Sequence, residues 1–338
     1  MVRYSKLEFR TLVRKYGCQL CFTPMIMADS FISSEKARQN EFKTNLDDRP
    51  LIVQFGANSV NDFLDAAELV SPFCDGVDLN CGCPQRWAMK AGYGANLLSR
   101  PHLIHDMIRQ LKNRIPNRFS ISVKMRLKER LSFSETIELC RDIEAAGASF
   151  LTVHGRTLKQ RKEPVDYDAI RHIAQSVQIP VIANGDVKSY LDVDKIIKLT
   201  ECKGVMCARS ILQNPALYAC ERVTPTCCVQ EWVNICVRSQ TPFQCFHHHL
   251  VFMLEKVLPK AKRRIFNQLT NIPDVIDFLS QHLNIVPPDL NELKITQSEI
   301  LYKNIKCDDG SYFKSKIEED NSSHISEDYL EDSCLTFL

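Results

Sequence analysis

The residues best equipped for chemistry fall in short clusters: Asn80-Cys81-Gly82-Cys83-Pro84, Lys124-Met125-Arg126, His154-Gly155-Arg156, Asn184-Gly185-Asp186 and Ala208-Arg209-Ser210. A thiol held in a tight turn by glycine and proline can act as nucleophile, general acid or metal ligand. An ammonium such as Lys124, at the end of a β-branched run, suits an anionic or electron-accepting ligand. The turns at 184–186 and 208–210 offer backbone N–H groups of the kind that cradle phosphate. Cys18 and Cys21 have the C-x-x-C spacing of metal ligands. That pair precedes a strand, however, whereas Cys81 and Cys83 follow one, so in a barrel the two pairs sit on opposite faces; no metal site is expected, and Cys18 and Cys81 read as small buried residues. Asp166 and Asp168, and the run His247-His248-His249, have no partner at catalytic or metal spacing.

The elements that must position these clusters alternate. Seven strand-like runs, at 22–25, 51–55, 76–79, 120–125, 150–154, 181–184 and 204–208, are separated by helical patterns. Phe63, Ala66, Ala67 and Val70 recur at helical spacing behind a capping box expected from Ser59 to Asp62, and Pro101 opens a helix carrying Leu103, Met107 and Leu111. Every chemical cluster follows a strand, which is where barrels and open α/β sheets place ligands. With no dinucleotide or P-loop glycine motif, the pattern predicts a (β/α)8 barrel. Eight strands are needed and seven are found; the first element, about 5–16, reads as a helix, so the strand before it is missing unless Met1 is its last residue. Beyond about 226 the strand signal stops and helices are expected at 232–237, 246–257, 261–269 and 275–283. The expected organisation is therefore a barrel over 1–225, a small basic helical domain over 226–286, and an extended acidic tail over 287–338 without persistent structure.

At 338 residues, 44% hydrophobic and 25% charged, the composition is that of a globular chain and excludes collagenous, coiled-coil or wholly disordered classes. No apolar run is long enough for a membrane span and the N-terminus lacks a secretion-signal core, so a soluble, intracellular, cytoplasmic monomer is expected, with the nucleus as a second possible location. Fifteen scattered cysteines read as reduced thiols. The net charge of +2 divides into −6 after residue 305 and +8 before it, which suits a polyanionic partner.

Read together and in order, VQFGAN, NCGCPQRWAMKAGYGANLL, SVKMRL, LTVHGRT, VIANGDV and GVMCARSILQNPALY resemble the tRNA-dihydrouridine synthases, over Met1 to about Leu283. The similarity is strongest to the eukaryotic branch acting at D-loop positions 20a and 20b. The resemblance implies a TIM-type flavin barrel and a helical tRNA-binding domain. It implies that Gln54 and Lys124 contact the isoalloxazine ring of FMN, with Asn80 and His154 beside it, and that Asn184, Gly185, Asp186, Ala208 and Arg209 hold the FMN phosphate. Cys83 matches the catalytic acid: NADPH or NADH reduces FMN, hydride passes to C6 of uracil, and Cys83 protonates C5. The basic residues Lys256, Lys260, Lys262, Arg263 and Arg264 are the expected phosphate contacts to tRNA, and the histidine run serves RNA contact or packing.

Two departures stand out. Of the family's flavin-contacting Ala-Pro-Met stretch on strand 1 only Met1 remains, and Ser210 replaces the usual glycine. A catalytically inactive tRNA-binding variant, or a flavin reductase acting on a free pyrimidine, are the competing readings; the basic helices speak against the latter.

Overall fold

The computed structural model describes residues 3–115, 118–128, 133–286 and 299–301. Met1–Tyr302 form one compact unit and Lys303–Leu338 a second, whose residues lie outside those described, as does Met1 with its expected flavin contact.

The chain runs α1 (Leu7–Lys15), β1 (Cys21–Phe22), β2 (Ile26–Met27), α2 (Ala28–Ser33), α3 (Glu35–Glu41), β3 (Lys43–Asn45), β4 (Leu51–Gly56), α4 (Val60–Val70) and β5 (Gly76–Cys81). It continues α5 (Arg86–Lys90), α6 (Pro101–Arg114), β6 (Ser120–Leu127), α7 (Ser134–Ala145), β7 (Phe150–Thr157), α8 (Tyr167–Ser176), β8 (Val181–Asn184), α9 (Tyr190–Thr200), β9 (Gly204–Met206) and α10 (Arg209–Gln213). Four helices follow, α11 (Thr226–Arg238), α12 (Phe243–Met253), α13 (Lys260–Phe266) and α14 (Ile272–Leu283), and then β10 (Glu299–Leu301).

The main sheet is parallel throughout, in the order β1-β4-β5-β6-β7-β8-β9, with β2 also on β4. This is sequential barrel order, curled around an apolar interior and covered by helices, an α/β architecture. β1 and β2 share one position, so among the described residues the sheet has seven positions, and β1 and β9 each pair on one side only. Strands β4 and β5 are buried at every residue, as a sheet covered on both faces requires.

Three local expectations are corrected. The run expected as a strand over 22–25 is broken into β1 and β2, because Pro24 has no N–H for the ladder; Thr23 spans the gap, its Oγ1 accepting from Gln54 N at 3.0 Å. Ser59 stands at the N-cap of α4 without a capping bond, whereas a full capping box forms at Ser189 and Asp192 on α9. Within 287–338, expected as an unstructured tail, Glu299–Leu301 pair antiparallel with β3.

The C-terminal helices pack on the barrel through α1. Phe9 stacks on His249 at 4.5 Å, and His249 lies 4.7 Å from Trp232, whose Nε1 donates to Phe246 O. Two of the three consecutive histidines, His247 and His249, are thus buried packing residues; His248 is exposed.

Candidate active site at the carboxyl ends of the strands

Strand register decides which side chains meet. On a strand, residues two apart share a face, so Asp78 and Asn80 point together, as do Ser122 and Lys124. The ladders align Gln54 with Asp78, Asp78 with Ser122, Asn80 with Lys124, Lys124 with Thr152, Arg126 with His154, and His154 with Asn184. A polar layer therefore crosses five neighbouring strands, β4 to β8, inside an otherwise apolar sheet.

Its members are bonded in a directed chain. Asp78, fully buried, accepts from Ser122 Oγ at 2.6 Å and from Gln54 Nε2 at 2.8 Å. Gln54 Oε1 accepts from Asn80 Nδ2 at 2.8 Å, and Asn80 Oδ1 accepts from the backbone N–H groups of Gly82 and Cys83 at 3.0 and 2.9 Å. Cys83 is held from its other side by the turn at Gly94: Ala95 N donates to Cys83 O at 3.0 Å, and a Cβ on Gly94, whose φ is +62°, would fall 2.7 Å from that oxygen. Only glycine fits there.

Burial raises the Cys83 thiol above its ordinary range, despite nearby Lys124 and Arg126, so at neutral pH it carries its proton. The thiol donates to Gln85 Oε1 at 3.7 Å. Desolvation lowers Lys124 to about 8, opposed by Asp78, and raises Asp78 to about 6, opposed by its hydrogen bonds and Lys124. Burial, with Arg126, Lys124, Arg156 and Arg209 around it, holds His154 far below its usual range, so it is neutral. Its Nε2 lies 3.3 Å from Arg156 Nη1; because the guanidinium can only donate, the ring proton belongs on Nδ1. Arg156 also pairs with Asp186 at 2.7 Å, and Arg126 donates to Gly82 O at 2.9 Å.

At the end of β8, Asn184 Nδ2 donates to Met206 O at 2.9 Å, Tyr167 Oη donates to Gly185 O at 3.1 Å, and Gly185 and Asp186 both take positive φ, +125° and +51°. A side chain on Gly185 would strike Val165 at 2.6 Å. Ala208 is the N-cap of α10 and Arg209 its first residue.

The structure thus brings Gln54, Asn80, Cys83, Lys124 and His154 to one end of the sheet and sets Asn184–Asp186 beside them. The expected RNA contacts divide: Lys256, Lys260 and Arg264 are exposed, whereas Lys262 leans on His282 Nδ1 at 3.4 Å and Arg263 donates to Glu255 O at 2.9 Å. Asp166 caps α8 by accepting from Ala169 N at 2.8 Å and Asp168 pairs with Arg171 at 3.0 Å, so both are structural. Sequence reasoning missed Asp78, Ser122 and Gly94, and gave Arg126 and Arg156 no role beyond a place in their clusters. The signal for Asp78 was present, a carboxylate between Val77 and Leu79 on a strand read as apolar.

These residues fit a flavin. The groups gathered are N–H donors and cations, which match the acceptor edge and the negative charge of a reduced isoalloxazine. One buried hydroxyl in the same interior, Thr152 Oγ1, has no hydrogen-bond partner. A parallel α/β sheet with a protonated thiol and a cation near its strand ends is the arrangement of a barrel that can bind an electron-accepting ligand and deliver a proton beside it.

Comparison with known proteins agrees. The family model described as dihydrouridine synthase matches residues 1–277, and the chain belongs to that family, enzymes that saturate the 5,6 double bond of uridine. The chain is 52% identical over 283 residues to the mouse protein named tRNA-dihydrouridine(20a/20b) synthase [NAD(P)+]-like, covering 83% of this chain and 87% of that one. It is 49% identical over 286 residues to the human protein of the same name, covering 84% and 90%. To the Schizosaccharomyces pombe tRNA-dihydrouridine(20a/20b) synthase [NAD(P)+] it is 42% identical over 290 residues, covering 86% and 88%.

Proposed function

We propose that this chain reduces uridine to 5,6-dihydrouridine in the D-loop of tRNA, at positions 20a and 20b, with FMN as bound cofactor and NADPH or NADH as reductant. Bound FMN would supply the hydride for C6 of the uracil. Cys83 supplies the proton for C5: burial keeps it a thiol, and Asn80 and Gly94 fix its backbone. Lys124 brings positive charge to the barrel interior where a reduced flavin is anionic, and costs little reorganisation because the strand already holds it there. Gln54, Asn80 and neutral His154 face the ring, and Asn184, Gly185, Asp186, Ala208 and Arg209 take the phosphate end. The target base lies in a loop and has to be splayed out, at a few kcal/mol of unstacking. Lys256, Lys260 and Arg264 bind tRNA phosphates, with the enzyme acting as a cytoplasmic monomer.

The observation that carries this reading is the buried Cys83 thiol, its backbone locked between Asn80 and the turn at Gly94, at the same end of the sheet as Lys124. The test is to incubate the purified chain with unmodified tRNA, FMN and NADPH and to map dihydrouridine by mass spectrometry. Two hydrogens gained at 20a or 20b support it; unchanged tRNA, with the flavin bound, overturns it.

A further inference from the structure

We infer that Asp78 is a positioning residue that sets the direction of the hydrogen-bond chain through Gln54 and Asn80, and thereby the place of Cys83. This rests on the proposed uridine reduction for its purpose, though not for its geometry.

Side-chain amides can point either way unless a neighbour decides. A carboxylate only accepts, so Asp78 compels Gln54 to present Nε2 to it, at 2.8 Å. Gln54 Oε1 is then left to accept from Asn80 Nδ2, and Asn80 in turn must offer Oδ1 to the N–H groups of Gly82 and Cys83. Reverse either amide and carbonyl oxygen meets carboxylate or carbonyl, or NH2 meets backbone N–H. Each amide keeps one N–H to spare, so what the chain offers a ligand is donors, not acceptors.

Stability does not account for Asp78. A buried carboxylate whose affinity for protons has risen to about 6 costs folding energy in its ionised form. That cost is incurred as pH rises from the ordinary carboxylate range near about 4, where the unfolded chain gives up its proton, through the folded value. Ser122 supplies a donor to its other oxygen at 2.6 Å, leaving the carboxylate satisfied but no better placed than a neutral amide would be for packing. What a neutral amide lacks, besides the charge that opposes the desolvation of Lys124, is the power to impose direction.

Asp78→Asn removes that power, since an amide at position 78 can donate as readily as accept and Gln54 is free to turn over. The double variant Asp78→Asn/Gln54→Glu restores it with the polarity exchanged. The carboxylate, now at position 54, accepts from the amide at position 78 and from Asn80; Ser122 donates to the carbonyl oxygen of that new amide, and Asn80 again holds the Cys83 loop. The readout is the rate at which iodoacetamide alkylates Cys83 in the full chain, followed by peptide mass spectrometry with Cys81 and Cys140 as internal references, and with thermal midpoints measured alongside. Asp78→Asn is expected to raise Cys83 alkylation about tenfold, the equivalent of losing one or two net hydrogen bonds, and the double variant to return it to the wild-type rate. The double variant also lacks the spare N–H of residue 54, so flavin retention should fall in it while the thiol is protected. Wild-type alkylation in a folded Asp78→Asn protein overturns the inference. If Asp78→Asn does not fold, the double variant decides by itself: a wild-type rate supports the inference and a raised rate overturns it. Because alkylation needs no tRNA, a chain that makes no dihydrouridine yet shows this pattern would refute the proposed reaction and leave the positioning role intact.

Discussion

Gly94→Ala would act on Cys83 from the side opposite Asn80. The new Cβ falls 2.7 Å from Cys83 O and 2.8 Å from Cys83 Cβ, where ordinary contact begins near 3.4 Å, so one of the two segments must retreat by about 0.7 Å. The left-handed φ of +62° adds the strain of placing a side-chain-bearing residue there. Together these are worth roughly 1–3 kcal/mol. Because Asn80 bonds the N–H of Cys83 and Ala95 bonds its carbonyl, the displacement falls on the thiol. A misplacement approaching 1 Å costs on the order of 100-fold in turnover when the reacting geometry is set by a rigid shell. The assay is a urea unfolding curve beside single-turnover dihydrouridine formation at saturating tRNA. The expected outcome is a modest fall in stability, unchanged tRNA affinity, and turnover down roughly ten- to a hundredfold. Wild-type turnover in Gly94→Ala would refute the reasoning that this turn fixes the acid.

Other outcomes follow from the same geometry. His249 is fully buried with neither ring nitrogen bonded, and burial lowers it to about 3, so the protein should lose stability as pH falls from about 6.5 towards 3, where the unfolded chain takes up a proton that the folded one refuses. His249→Phe should remove that share of the acid sensitivity and raise the neutral-pH stability by about 1 kcal/mol, read by calorimetry. Lys124, lowered to about 8, should lose its charge first among the site's cations, so turnover should decline as pH rises through 8 and above, and Lys124→Met should be slow and lack that limb. Replacing Lys256, Lys260 and Arg264 with Ala should weaken binding of all tRNAs alike and flatten the salt dependence by roughly one slope unit for each phosphate no longer neutralised; an unchanged slope would place the tRNA elsewhere.

Strand order and the clusters at strand ends were legible in the sequence because each strand here is a short apolar run closed by a polar turn, a pattern that needs no tertiary information. Cys83, Lys124 and His154 emerged from it unaided. What stayed hidden depended on register. Asp78 and Ser122 look like interruptions of apolar runs until β4, β5 and β6 are aligned and set Gln54, Asp78 and Ser122 in one row across the sheet. Gly94 was one glycine among several, and only its approach to Cys83, earlier in the chain, gives it meaning. The local bonding of the basic cluster was hidden for a related reason: a run of cations on a short helix says nothing of which face meets a neighbour, and α13 turns Arg263 back to the carbonyl of Glu255, just past the end of α12. Pro24 could have warned of the broken first strand, since its missing N–H is a local fact.

Proton donation by Cys83 is the central assignment, and the most direct test compares Cys83→Ala with Cys81→Ala in dihydrouridine formation on the same tRNA, with flavin content measured in both. Cys81 is fully buried on β5 with no role in the proposed chemistry, so Cys81→Ala should keep most activity. Cys83→Ala should keep its flavin and form no dihydrouridine. Equal losses in the two variants, or product from Cys83→Ala at the wild-type rate, would contradict the assignment.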